Sequence, residues 1–256
     1  MLNMEVNKIY NEDCLTTLSR LPDECLDMVF ADPPFNVGKK YNGYKDQKEN
    51  YFEWQEQWIS EVFRCLKPTG TFYLMTIDRN LPETLHSMSK YGLFVNLIKW
   101  QNVSASHNKR SFWMSSQPIA MYAKTDDYIF NTYAETRETF KAWDKKRAER
   151  MKGQLLDQWD DIPLVYAGSI IHKEAILKPG TKQKAHLAQM PEHLPGRAIK
   201  FSTNENGLVY DPFMGSGTTA MAAIKLNRNY LGSEISPEYY NLINERITEY
   251  SCSSLF

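Results

Sequence analysis

The sequence predicts an α/β fold with a mostly parallel sheet and helices on both faces. Short apolar runs typical of buried strands alternate with amphipathic stretches at both ends of the chain. Its 256 residues, 42% of them hydrophobic, are enough to bury a large core in one domain or at most two small ones. Disordered, collagen-like and solenoid architectures are therefore excluded.

The N-terminal elements surround a strand that ends in an aspartate. LDMVF, residues 26–30, predicts a buried strand directly before Ala31-Asp32. Apolar side chains recur at helical spacing over residues 51–67, which predicts a helix, and Pro68-Thr69-Gly70 is expected to end it. Three further strands are predicted by TFYLMTI, LIKW and IAMYAK.

The C-terminal part repeats the succession of strand and helix. GLVYDPF predicts a strand, GSGTTAMAAIKL opens a helix, and NYLGSEI predicts the next strand. Ser236-Pro237-Glu238 predicts the start of a last helix, with serine as N-cap, proline at the first helical position and glutamate in the first turn. This succession predicts parallel pairing with right-handed crossovers.

Charge divides the chain into three segments. The whole chain has 30 Lys and Arg against 31 Asp and Glu, so its net charge of −1 gives no general attraction to nucleic acid or to an anionic membrane. The middle is nevertheless basic, since residues 101–200 contain 16 basic and 11 acidic side chains. Residues 131–185 break the strand–helix succession, and we interpret them as an insertion in the α/β core.

The cysteines and the N-terminus indicate the compartment. Four widely spaced cysteines lack a histidine at metal-ligand spacing, so no metal site is predicted. No signal pattern opens the chain, and no run approaches the roughly 18 apolar residues of a membrane helix. We therefore expect a cytoplasmic protein with reduced thiols and no membrane partner.

A glycine-rich turn, DPFMGSGTTA, lies where a strand gives way to a helix. Glycines allow a tight turn and close approach to a ligand, and the helix N-terminus offers unpaired N–H groups. Glu234 ends the next strand, 19 residues after Gly215, where a carboxylate can accept hydrogen bonds from a ribose diol. The spacing predicts a nucleoside cofactor and leaves NAD(P) and S-adenosylmethionine both open. The candidate cofactor-binding residues are Asp211, Phe213, Gly215, Ser216, Gly217, Thr218 and Glu234.

A second turn, Asp32-Pro33-Pro34-Phe35, follows the strand LDMVFA directly and supplies the candidate catalytic residues. Two prolines remove two N–H donors, so the turn presents a carboxylate and carbonyl oxygens, and an aromatic ring follows. A site made of acceptors favours an amino group. If Asp32 and the carbonyl of Pro33 or Pro34 each accept one N–H, the lone pair of a nucleobase amine can point at an electrophilic methyl group.

With these two motifs in this order, the chain resembles the β-class S-adenosylmethionine-dependent DNA amino-methyltransferases, in which the Asp-Pro-Pro-Tyr/Phe turn precedes the glycine turn. The resemblance covers nearly the whole chain. It implies a Rossmann-like methyltransferase fold with a small inserted DNA-recognition region, and S-adenosylmethionine as cofactor, released as S-adenosylhomocysteine. Asp13 and Cys14 would meet the cofactor adenine, and His186 and Gln189 would lie beside its methionine. Met190 stands where this family usually has lysine.

The resemblance also implies a division of the chain into three parts. Residues 1–130 would form the catalytic half of the core, 131–185 the target-recognition insertion, and 186–256 the cofactor-binding half. The candidate DNA contacts are basic side chains in three places. Within the insertion they are Lys145, Lys146, Arg147, Arg150 and Lys152, just after the Asp-Pro-Pro-Phe turn they are Lys39 and Lys40, and in a second loop they are Lys109 and Arg110.

The aspartate-first turn is associated in the family with adenine, so we expect transfer to N6 of an adenine flipped out of double-stranded DNA. Cytosine N4 is the alternative. RNA or protein substrates, an NAD(P)-dependent oxidoreductase and a non-catalytic DNA-binding module are more distant alternatives. A homodimer and a cognate restriction endonuclease stay open as partners.

Overall fold

An eight-stranded sheet forms the centre of the described structure. A computed structural model describes residues 5–38, 40–41, 44–101, 110, 112, 114–132, 134–135, 155–164, 176 and 189–253. The strands of the sheet are β1 (Lys8–Tyr10), β2 (Leu26–Ala31), β5 (Leu66–Met75), β6 (Leu93–Gln101), β7 (Ser116–Ala123), β8 (Gln158–Trp159), β9 (Leu208–Asp211) and β10 (Asn229–Ser233). The short strands β3 (Lys40–Tyr41) and β4 (Tyr44–Lys45) pair with each other.

Helices cover both faces of this sheet. They are α1 (Cys14–Arg20), α2 (Tyr51–Cys65), α3 (Leu81–Ser89), α4 (His193–Ser202), α5 (Thr218–Lys225) and α6 (Pro237–Ser253). Their starts follow capping chemistry: the Asp13 carboxylate accepts the Leu15 N–H at 2.9 Å, and the Ser236 hydroxyl accepts the Tyr239 N–H at 3.4 Å. Among the described helices, none has the length and apolar character needed to cross a membrane.

The strand order is β1-β10-β9-β2-β5-β7-β6-β8. Each pairing is parallel except those of β7, which runs antiparallel to both β5 and β6. The predicted fold class is therefore confirmed, with one reversed strand. From β2 the chain crosses through α2 to β5 on one side, and from β9 it crosses through α5 to β10 on the other. The two crossovers therefore run in opposite directions from the neighbouring strands β2 and β9. The carboxyl ends of these two strands form a topological switch point, where α/β folds bind ligands.

The core has two layers because strand side chains alternate between the faces. On β2, Met28 and Phe30 pack in one apolar cluster with α4 and α5, whereas Val29 and Ala31 pack in the other with α1 and α2. Both layers reach β2, so the strand that leads into the Asp-Pro-Pro-Phe turn is buried on both sides and rigidly held.

Two details differ from the sequence prediction. Helix α2 ends at Cys65, and β5 begins at once with Leu66 because Leu66 pairs with Leu26. Pro68 then lies in the strand, beside the shift in register between Leu26 and Met28.

Part of the stretch interpreted as an insertion belongs to the core. Strand β8 pairs with β6, and Trp159 and Ile162 are buried in the apolar cluster. The fully buried Arg197 of α4 forms ion pairs with Glu135 and Asp161, each at 2.6 Å. Residues 134–135 and 155–164 are thus tied to the sheet and to α4.

Candidate active site

The two turns that the sequence singles out lie side by side. Strands β2 and β9 are parallel neighbours, with Met28 opposite Val209 and Val29 opposite Tyr210. Because parallel strands end at the same edge of a sheet, the turns that follow Ala31 and Asp211 meet there. Both turns line one cavity at the switch point.

The cavity wall brings together residues from both halves of the chain. Among the predicted site residues, the wall contains Asp13, Cys14, Asp32, Pro33, Pro34, Phe35, Phe213, Gly215, Ser216, Thr218 and Glu234. The rest of the wall comprises Glu12, Lys48, Trp54, Met190, Pro212, Met214, Ser233, Ile235, Ser236 and Tyr239. It therefore joins the acceptor turn to the predicted nucleoside-binding turn within one space.

The Asp-Pro-Pro-Phe turn is held by side chains from neighbouring elements. The Tyr51 hydroxyl donates to the Pro34 carbonyl at 2.8 Å, and the Asn80 amide donates to the Phe35 carbonyl at 2.8 Å. Asp32 itself is half-buried on the cavity wall. The turn thus presents the Asp32 carboxylate from a backbone that other side chains fix.

The Asp211 side chain holds the glycine turn in place through hydrogen bonds. This carboxylate is fully buried and accepts the Phe213 N–H at 2.9 Å and the Thr219 hydroxyl at 2.5 Å. Burial raises its pKa to about 6. Asp211 is not on the cavity wall, so the structure gives it a role in shaping the turn.

Glycine is required at Gly217 for two reasons. Its φ of +80° is costly for residues with a Cβ, and a Cβ there would lie 2.8 Å from Ile243. The turn then opens helix α5, and Gly215, at φ +56°, lies beside the cavity. Gly217 itself is not on the cavity wall, and its role is to allow the turn that places Gly215 there.

Glu234 connects the glycine turn to the end of β10. One of its carboxylate oxygens accepts the Gly215 N–H at 2.7 Å and the other accepts the Ser236 N–H at 2.8 Å. Each carboxylate oxygen has two lone pairs, so one on each remains for a ligand hydroxyl. The pKa of Glu234 is raised to about 7, mainly because the carboxyl group is buried. A nucleoside diol, whose two hydroxyls donate, fits this pair of acceptors.

Aromatic side chains form the wall between the two turns. The Phe213 ring packs against Trp54 and Trp58 of α2, with centroids 5.7 and 5.1 Å away, and the Lys48 ammonium lies 4.8 Å from the Trp54 ring centroid. Trp54 and Lys48 belong to no motif that we recognised. The aromatic residues at 51, 54 and 58 recur at helical spacing, and that spacing is the signal that could have identified this wall.

Several predicted residues lie elsewhere or outside the described structure. Gln189 is buried away from the cavity wall, and its side chain accepts the Ile176 N–H at 3.0 Å. Arg110 is exposed, and of Lys40 only the backbone is described. The predicted residues outside the described structure are Lys39, Lys109, Lys145, Lys146, Arg147, Arg150, Lys152 and His186.

Comparison with known proteins gives concordant matches. A family model described as DNA methylase (N6_N4_Mtase) matches residues 26–245. The Type II methyltransferase M1.MboII of Moraxella bovis is 30% identical over 94% of this chain and 96% of that protein. The DNA adenine methyltransferase YhdJ of Escherichia coli (strain K12) is 31% identical over 98% of this chain and 87% of that protein.

The fold is also found among solved structures. The PvuII DNA methyltransferase, described as cytosine-N4-specific, superposes with a TM-score of 0.67 over 92% of this chain and 84% of that chain. The two chains are 20% identical, so this match concerns the fold alone.

Proposed function

The chain belongs to the N6/N4 family of DNA methylases, and from this premise we propose that it transfers a methyl group to N6 of adenine in double-stranded DNA. It is an S-adenosylmethionine-dependent DNA amino-methyltransferase. The finer assignment, adenine, is our proposal. The observation that carries it is the aspartate-first acceptor turn on the wall that it shares with the nucleoside-binding turn.

The residues of the glycine turn suit this cofactor. S-adenosylmethionine supplies an electrophilic methyl group on a sulfonium. Glu234 would accept the ribose hydroxyls, with its geometry set by the N–H groups of Gly215 and Ser236. Asp13, Cys14 and Phe213 would surround the adenine ring, and the predicted residue His186 would hold the methionine end, whereas Gln189 lies away from the cavity wall. The acceptor oxygens of Glu234 and the residues of the cavity wall therefore suit S-adenosylmethionine.

The Asp-Pro-Pro-Phe turn would hold the target amine. The Asp32 carboxylate and the Pro33 carbonyl each accept one N–H, which draws the nitrogen toward tetrahedral geometry and frees its lone pair. The Phe35 ring offers a face on which the flipped base stacks. Transfer would form the N–CH₃ bond and break the S–CH₃ bond, whose electron pair stays on the thioether sulfur of S-adenosylhomocysteine. Asp32 would stabilise the positive charge that develops on the amine and would take up the displaced proton. The turn acts by alignment and electrostatics, with no covalent enzyme intermediate.

Adenine is favoured over cytosine by the aspartate at the head of the turn. A relative described as a DNA adenine methyltransferase, 31% identical over 98% of this chain, supports the same choice. The second candidate is cytosine N4, because its amine has the same donor chemistry and a cytosine-N4-specific enzyme shares the fold.

DNA binding would require base flipping, since neither amine is reachable within the stack. The predicted basic side chains around the insertion would offset the cost of distortion through phosphate contacts. A homodimer and a cognate endonuclease remain predictions.

The test is to incubate the wild-type chain with unmethylated duplex DNA and S-adenosylmethionine labelled in the methyl group. Digestion to nucleosides followed by mass spectrometry should detect N6-methyladenine. N4-methylcytosine as the product would contradict the adenine assignment, and label found only in parallel RNA or protein samples would contradict DNA as the substrate.

A further inference from the structure

Three successive carbonyl groups after the first proline are each occupied by a side chain. The Pro34 carbonyl accepts the Tyr51 hydroxyl at 2.8 Å, and the Phe35 carbonyl accepts the Asn80 amide at 2.8 Å. The Asn36 carbonyl accepts an N–H of Arg79 at 2.6 Å. These donors come from α2 and from the loop between β5 and α3, so two separate elements fix the direction of the carbonyls.

The backbone N–H groups of residues 36–38 all donate to one residue, Asp46. Asp46 is 1% exposed, and its carboxylate accepts the N–H groups of Asn36 at 2.7 Å and Val37 at 3.1 Å. Its carbonyl accepts the Gly38 N–H at 2.7 Å. Asp46 therefore holds the N–H groups of Asn36, Val37 and Gly38 in place.

Pro33 is different from its neighbours. Within the described part of the chain no donor is bonded to its carbonyl, and Pro33 lies on the cavity wall beside Asp32. Of the two prolines, only the first keeps both lone pairs of its carbonyl available, and the bond from Tyr51 fixes the direction of the other carbonyl, so Pro33 is the better second acceptor for an amino group.

Tyr51 is the residue best placed to enforce this choice. It is the first residue of α2 and is 3% exposed. Its ring lies 5.7 Å from that of Trp54, which in turn packs against Phe213 of the glycine turn. The packing keeps the hydroxyl in one place, and the same helix supports both turns.

We infer that Tyr51 is a positioning residue for methyl transfer, whose hydroxyl holds the Pro34 carbonyl toward α2 and leaves Asp32 and the Pro33 carbonyl as the acceptor pair. This inference rests on the proposed function only in requiring an exocyclic amine, whether of adenine or cytosine. Tyr51 would touch neither reacting atom. It acts by setting the angle between the two acceptors, to which an aligned reaction is sensitive.

The test compares Tyr51→Phe with Tyr122→Phe. Tyr122 is a matched control because it is 2% exposed and its hydroxyl also donates to a backbone carbonyl, that of Leu85 at 3.1 Å, in α3. We expect Tyr51→Phe to lower the single-turnover rate of methyl transfer about tenfold, since loss of one orienting hydrogen bond misaligns the acceptors. The affinities for DNA and for S-adenosylhomocysteine should stay within about twofold of wild type, and Tyr122→Phe should leave all three quantities unchanged.

Two results would overturn the inference: a wild-type rate in Tyr51→Phe, or a loss of DNA or cofactor affinity that accounts for the slower turnover. The product formed by the wild-type chain is read in the same experiment. N4-methylcytosine would contradict the adenine assignment and leave the rate ratio as the test of Tyr51, whereas N6-methyladenine with equal rates would contradict the role of Tyr51 alone. A wild-type chain that methylates no base would contradict both.

Discussion

The neighbouring strands β2 and β9 both lead into an Asp-Pro dipeptide, but the two aspartate side chains are placed differently. Asp32-Pro33 follows β2 and Asp211-Pro212 closes β9. The Asp211 side chain is fully buried, and both of its carboxylate oxygens accept hydrogen bonds within its own turn and helix. Asp32 is half-buried and lies on the wall of the cavity. One aspartate supports a turn, and the other lies on the cavity wall, where we propose that it meets the target amine.

The residue two positions further on explains the difference. Aspartate side chains commonly accept the N–H two residues later, and Asp211 does so with Phe213. The corresponding position after Asp32 is Pro34, which has no N–H to offer. The second proline thus prevents the turn from capturing its own carboxylate. The proline pair thus denies Asp32 the hydrogen bond within its own turn that Asp211 makes.

The sharpest test of this comparison is Asp32→Ala. Because this change removes the charged acceptor of the amine, we expect the methyl-transfer rate to fall about 10³-fold, by analogy with the loss of one oriented catalytic group. Calorimetry should give an unchanged affinity for S-adenosylhomocysteine, and the melting temperature should be retained. Asp126→Ala, at an exposed position, is the matched control. Retained transfer by Asp32→Ala would refute the catalytic assignment.

Asp211→Ala should instead lower stability and cofactor affinity. It leaves the Phe213 N–H and the Thr219 hydroxyl without their buried acceptor, which should cost about 3 kcal/mol of unfolding free energy. Urea unfolding measures that loss. The affinity for S-adenosylhomocysteine should also fall, since the glycine turn relaxes. An Asp211→Ala protein with full stability and cofactor affinity would remove the contrast between the two aspartates.

Local patterns allowed much of the fold to be predicted from the sequence. Helix α2, strand β2 and the start of α6 carry strong periodic or capping signals within a few residues. The residue types of the two turns also indicated their chemistry. These features depend on short-range geometry, which a single sequence contains.

Long-range pairing could not be predicted in the same way. The contact of β2 with β9 joins Met28 to Val209 across most of the chain, and no local pattern specifies it. The reversal of β7 and the docking of Trp159 against the sheet are likewise set by tertiary packing. Asp211 was expected to bind cofactor because it stands in the motif. Its hydrogen bond from Thr219, the second residue of α5, becomes visible only in three dimensions.

Pro34→Ala should partly convert the first turn into the second. The new N–H would lie two residues after Asp32, where the corresponding group binds Asp211. We expect the Asp32 carboxylate to be drawn into the turn, with a rate loss of about 10-fold to 30-fold, equivalent to about 1.4–2 kcal/mol of barrier. Pro163→Ala, at an exposed position, controls for the general effect of losing a proline. A wild-type rate for Pro34→Ala would show that the missing N–H does not matter.

The glycine turn should respond to pH through Glu234. Its pKa of about 7 means that the carboxylate is mostly protonated at pH 6 and mostly ionised at pH 8. If the ionised form accepts the ribose hydroxyls, the affinity for S-adenosylhomocysteine should be about tenfold higher at pH 8 than at pH 6, in proportion to the competent fraction.

The stability of the unliganded protein should change with pH in the opposite sense. Burial raises this pKa from its ordinary value of 4.5, so the folded state binds more protons, and the contribution of Glu234 to stability falls as pH rises from about 4.5 to about 7. Titration calorimetry and thermal melts across this range measure both slopes. Glu234→Gln cannot ionise and should flatten the affinity profile. A pH-dependent affinity that persists in Glu234→Gln would assign the titration to another group, such as Asp211, whose pKa is raised to about 6.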